Sequence, residues 1–253
     1  MTAAQTPDLP AATDSHGGFA LPDRDGRRLV LTAGLPNPER LNTALCSGGH
    51  RISVRFSGPQ AAREADTGRQ TPDNFDNLAG SLFTLAGRVD PAAVCFLASD
   101  SLLAGSIRLD IAAPDGSGAC LERRRLAAVR QRQVSHCWPL ARLGPRAHAV
   151  LLEFERRGTH ALASLVVVDG ATTMFADYPA EFSGHGQDLW RVDDGGRLSP
   201  EGWKLVAAVQ RGNSFALAVS WAGSEGQSLS LWTSGEGTQL TEIISDYWYQ
   251  VPL

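Results

Sequence analysis

Residues 165–175 read Leu-Val-Val-Val-Asp-Gly-Ala-Thr-Thr-Met-Phe, and this stretch decides the fold class. Two apolar runs flank Asp169-Gly170, a pair that readily supplies the positive φ of a tight hairpin turn. Strands joined so closely run antiparallel, because parallel neighbours need a crossover of a dozen or more residues. The pattern repeats in both directions. Strand-like runs at 149–155, 161–168, 172–178, 204–210, 214–221, 228–233 and 239–251 alternate with short turn clusters, among them Arg157-Gly158 and Arg211-Gly212-Asn213. Residues 149–253 are therefore expected to form an antiparallel meander.

Toward the N-terminus the signal weakens. Residues 50–56 alternate Ile52, Val54 and Phe56 with Arg51, Ser53 and Arg55, as a half-buried strand does. Shorter strands are expected at 28–32, after the turn signal Asp25-Gly26, and at 93–97. Thr71-Pro72-Asp73 has the form of a helix start, and Phe75, Leu78, Leu82 and Leu85 follow at helical spacing up to Gly87. A second helix is expected within 122–132, which is full of good helix formers. Residues 1–25 read as a flexible segment and 26–253 as a single β-rich domain. The chain is thus mostly β, an antiparallel sandwich or barrel with one or two short helices. A small β-propeller is the alternative, because Leu-Trp-x4-Gly-x2-Leu occurs at 189–198 and again 42 residues later, close to the length of one blade.

Of 253 residues, 43% are hydrophobic and 20% charged, which suits a packed core and argues against disorder. No run approaches the roughly 18 apolar residues that span a bilayer as a helix. The net charge of −4 selects no partner, but its distribution is uneven. Between 121 and 160 nine arginines face three glutamates, whereas from 177 onward ten acidic residues outnumber four basic ones. No nucleic-acid motif accompanies the arginines and the whole chain is acidic, so nucleic acid is disfavoured as a partner. The expected role of the arginine-rich segment is a solvated face paired with the acidic C-terminal half. An anionic ligand is the competing reading.

Cys46, Cys95, Cys120 and Cys137 show no Cys-x-x-Cys pair and no zinc-like spacing, and no cofactor is expected. Their even number fits two disulfides in an oxidising compartment, periplasmic or extracellular, though four buried thiols in a cytoplasmic protein would share the spacing. The first 18 residues, rich in Thr, Ala, Pro and Gly, resemble the tether that follows a cleaved export signal. A straight helix running through 122–132 would separate Cys120 from Cys137 by about 25 Å, at 1.5 Å per residue. One continuous element here therefore predicts that these two pair elsewhere, for example with Cys46 and Cys95.

Candidate chemistry concentrates in 183–203 and in the last strand. Ser183, His185 and Asp188 share one glycine-flanked loop, with the residue types of a nucleophilic triad but no Gly-x-Ser-x-Gly elbow. Asp193 and Asp194 supply oxygen ligands for a metal such as calcium, or paired carboxylates for glycoside hydrolysis. Adjacent strand residues point apart, however, so a hairpin tip is the plainer expectation. Tyr247 and Tyr249 should share one face of the last strand, with Trp248 on the other. With Trp203 they form a candidate ligand-binding surface for a protein or carbohydrate partner. The sequence thus supports an exported, disulfide-stabilised β-rich binding or interaction module, with a hydrolase built on 183–203 as the alternative.

Overall fold

The computed structural model describes residues 17–114, 120–181, 198–223, 225–235 and 237–251. Six strands close into a barrel: β1 (Gly17–Pro22), β2 (Arg28–Leu31), β3 (Thr43–Cys46), β4 (His50–Gln60), β5 (Gly80–Leu85) and β6 (Cys95–Ala98). Around the barrel their order is β1-β2-β5-β4-β3-β6, and β6 pairs back to β1. The first strand lies in the stretch expected to be flexible. Its small residues are what let it fit: a Cβ on Gly17 would stand 2.5 Å from the Phe96 ring, and one on Gly18 2.8 Å from Leu31. Inside the barrel, Leu29, Leu31, Phe83 and Leu97 pack around a disulfide between Cys46 and Cys95. These two cysteines are direct cross-strand partners with Cα atoms 4.0 Å apart.

Residues 71–87 are not the expected helix. Phe75–Asn77 makes one 3-10 turn and Gly80–Leu85 forms β5. The spacing of Phe75, Leu78, Leu82 and Leu85 misleads because this segment is covered on two sides. Phe83 and Leu85 fill the barrel, while Phe75, Leu78 and Leu82 pack outward against a neighbouring sheet. Gly80 lies so close to β2 that a Cβ would meet the Leu31 carbonyl oxygen at 2.4 Å.

After the short helix α1 (Asp100–Leu103) come two-residue strands β7 (Ile107–Arg108) and β8 (Ile111–Ala112), then helix α2 (Arg123–Arg130). The expected meander follows, divided into two sheets. β9 (Val134–Leu143), β10 (Ala147–Phe154), β11 (His160–Asp169) and β12 (Thr172–Glu181) join β8 in an outer sheet. β13 (Trp203–Arg211), β14 (Ser214–Ala222), β15 (Gly226–Ser234) and β16 (Leu240–Tyr249) join β7 in a middle sheet. Gly170 and Gly212, at φ 58° and 57°, open the two-residue loops between the paired strand ends Asp169–Thr172 and Arg211–Ser214.

The layers explain why Leu165–Val168 does not alternate apolar with polar. Leu165 and Val167 meet Leu217 and Trp232 of the middle sheet. Val166 and Val168 face the other way, where α2 buries Leu126 against Val150, Leu152 and Phe175. A strand covered on both faces reads as one apolar run. The middle sheet is likewise sandwiched, since Ala218, Leu231 and Trp248 pack on Phe19 and Phe96 of the barrel. Helix, outer sheet, middle sheet and barrel are thus stacked as layers. They are not blades around a channel, so the propeller alternative is not the fold. No helix among the described residues is long and apolar enough to cross a membrane.

Candidate anion-binding site

The site begins with a chain reversal that the sequence does not announce. α2 stops at Gln131, a non-glycine residue at φ 49°. Left-handed backbone costs about 1–2 kcal/mol for such a residue. Here it lets the Gln131 and Arg132 amides donate to the carbonyls of Ala128 and Ala127, each at 3.1 Å, which caps the helix. The chain then doubles back into β9. This corrects the expected disulfide pairing: Cys120 is bonded to Cys137, with Cα atoms 5.9 Å apart.

Between the end of α2 and the β10–β11 turn lies a cleft of about 540 Å³, lined chiefly by Arg124, Gln131, Arg132, Glu155, Arg156 and Arg157. Arg132 donates to the main-chain carbonyls of Glu155 at 2.7 Å and His160 at 2.6 Å. Arg157 donates in return to the Gln131 carbonyl. Each arginine therefore clasps the segment that carries the other. Carbonyl partners fix a guanidinium in place but leave its charge uncompensated. Burial pushes the Arg132 guanidinium below its ordinary value, and the Arg157 charge acts in the same direction. Among the described residues Glu155 is the single carboxylate lining the cleft, and no aromatic ring lines it.

Other arginines of the same segment are paired. Arg130 meets Asp177 at 2.8 Å and Arg146 meets Asp169 at 3.2 Å. Arg125 contacts Glu122 and donates to the carbonyls of Ala171 and Gly170 at 3.0 and 3.1 Å. Pairing with the acidic C-terminal half thus holds for Arg130. It does not describe Arg132 and Arg157, whose hydrogen-bond acceptors among the described residues are carbonyls. Which arginines would be left for a ligand depends on the reversal at Gln131, and only their excess was visible in the sequence.

Trp203 and Trp248, two of the four candidate ligand-binding aromatics, are core residues, 6% and 1% exposed. Trp203 stacks on Trp221 at 4.8 Å, and Tyr178 meets both edge-on. Burial, with the Glu242 charge behind it, pushes the Tyr178 hydroxyl far above the ordinary tyrosine value. The Trp232 indole N–H faces that hydroxyl without reaching hydrogen-bond geometry. Tyr247 and Tyr249 do share a face, their rings 4.7 Å apart, and Tyr249 is 48% exposed. The backbone beside them is occupied, since Gln70 exchanges two 2.8 Å hydrogen bonds with Tyr249. That contact covers the end of an edge strand. Ser183, His185, Asp188, Asp193 and Asp194 lie outside the described residues. Among the described residues no cluster of three or more His, Cys, Asp or Glu is placed to hold a metal.

No protein-family model, curated protein or solved structure matches the chain. What the fold and the cleft define is a β-rich chain with two disulfides and an arginine-lined recess on its outer sheet.

Proposed function

We propose that this is an exported binding module that holds an anionic group in the arginine cleft. The observation that carries the reading is the reciprocal clasp of Arg132 and Arg157, two guanidiniums held by carbonyls beside Arg124 and Arg156. A guanidinium presents a planar fork that matches carboxylate or phosphate oxygens. The ligand class is therefore a molecule bearing carboxylates or phosphates, including an acidic group on a protein or carbohydrate partner. None of the described residues lining the cleft is aromatic, so they offer no platform for stacking nucleobases. Two disulfides in a β-rich fold support export.

Calorimetric titration of the oxidised protein with inorganic tripolyphosphate, and separately with citrate, tests the reading. Saturable binding that weakens with added sodium chloride is expected. No heat and no protection of the arginine cleft with either anion would overturn it.

A further inference from the structure

Building on the anion-binding reading, we infer that the Cys120–Cys137 disulfide is a reducible latch on the cleft. The two disulfides of the chain are placed differently. Cys46 and Cys95 are 1% and 0% exposed inside the barrel, whereas Cys120 and Cys137 are only half-buried. A reductant in solution therefore meets the second bond first.

What that bond holds is a short helix that rests on the sheets through a few side chains. α2 has eight residues, fewer than the roughly 12–15 at which an isolated helix persists in water. Leu126 is its one buried side chain. Beyond that it is tied by Arg125 on the Gly170 and Ala171 carbonyls and by Arg130 on Asp177, the Phe175 ring and Gln239. Yet α2 builds one wall of the cleft: it carries Arg124, and the Gln131 that ends it supplies the carbonyl that positions Arg157. The whole helix lies within the loop, 17 residues long in sequence separation, that the bond closes. Opening the bond returns conformational freedom to that loop. The sheets are continuous without it, because β9 and β10 remain paired from Ala147–Leu143 to Phe154–Val134.

The reaction is thiol–disulfide exchange with a dithiol. Its thiolate attacks one of the two sulfurs and displaces the other as a thiolate. The second thiol of the reductant then resolves the mixed disulfide. Two electrons and two protons pass to Cys120 and Cys137, and the dithiol leaves as its own disulfide. The oxidised chain holds an anion, and the reduced chain holds it more weakly.

The test uses the full chain under graded dithiothreitol. Alkylation and mass spectrometry count the thiols, amide hydrogen exchange follows 121–131, and tripolyphosphate titration reads the cleft. The expected result is reduction of Cys120–Cys137 while Cys46–Cys95 stays closed, faster exchange confined to α2, and anion affinity about tenfold weaker. The double variant Cys120→Ser with Cys137→Ser should reproduce the last two effects without reductant. Unchanged exchange in α2 after its bond opens, or earlier reduction of Cys46–Cys95, would overturn the latch. If the oxidised chain binds no tripolyphosphate, the anion reading fails, and the exchange of α2 alone still decides whether the disulfide holds the helix.

Discussion

The Arg130 guanidinium lies 4.2 Å from the centroid of the Phe175 ring, donates to Asp177 Oδ1 at 2.9 Å and pairs with its Oδ2 at 2.8 Å. Ser164 donates to the same carboxylate at 2.6 Å. With its amide oriented to suit both neighbours, Gln239 accepts from Arg130 at 2.7 Å and donates to the Phe175 carbonyl at 3.1 Å. One side chain thus ties α2 to the outer sheet and to the turn that precedes β16. Arg130→Ala should lower stability by about 2–3 kcal/mol, since it removes the ring contact and strands a half-buried carboxylate. Arg130→Lys should recover part of this, because an ammonium lacks the fork. Urea unfolding of the three proteins measures both effects.

Asp23 predicts an acid-sensitive barrel. Burial alone would raise its carboxyl. The amides of Arg27 and Arg28 at 2.8 and 3.1 Å, with the Arg28 guanidinium at 2.8 Å, outweigh burial and hold it below the ordinary value. A carboxyl lowered by folding contributes stability that is complete above its unfolded value of about 3.9. That contribution disappears as pH falls through the folded value. Asp23→Asn should therefore be less stable than the parent at pH 7, and the gap should close in strong acid. Thermal melts across that range give the comparison, and a gap that is constant with pH would contradict the assignment.

Asp246 predicts the opposite sign. Burial raises its carboxyl, and the Tyr247 amide at 2.8 Å and the nearby Trp248 indole only partly offset that. Folding therefore disfavours the charged form. The cost is absent below the unfolded value and fully present once pH exceeds the raised folded one. Asp246→Asn should melt at a higher temperature than the parent at pH 7, with the gain fading in acid. A lower melting temperature at pH 7 would show that the carboxylate has a partner worth more than its burial costs.

How legible this fold was depends on where each strand finds its cover. The C-terminal meander could be read because Gly158, Gly170 and Gly212 supply positive φ at turns between apolar runs. The barrel was harder. Gly17 and Gly18 look like linker composition, yet they are glycines because Phe96 and Leu31 lie where a Cβ would be. Leu82 and Phe83 point to different cores, so β5 mimicked a helical stripe. The pairing of Cys120 with Cys137 was hidden because Gln131, and not a glycine, makes the reversal. The arginine excess at 121–160 was plain from composition. Only three-dimensional placement separates Arg130, which is bound to a carboxylate, from Arg132, which among the described residues is bound to carbonyls.

The central claim is that Arg132 and Arg157 together hold an anion, and one titration addresses it most directly. Inorganic tripolyphosphate is titrated into the oxidised parent, into Arg132→Ala with Arg157→Ala, and into Arg55→Ala, which removes an exposed arginine on the distant barrel strand β4. Loss of two charge-assisted contacts should weaken binding by about a hundredfold or more in the double variant. The Arg55→Ala protein should bind as the parent does. Equal weakening in both variants would mean that only the overall charge attracts the anion, and would contradict a built site between α2 and the β10–β11 turn.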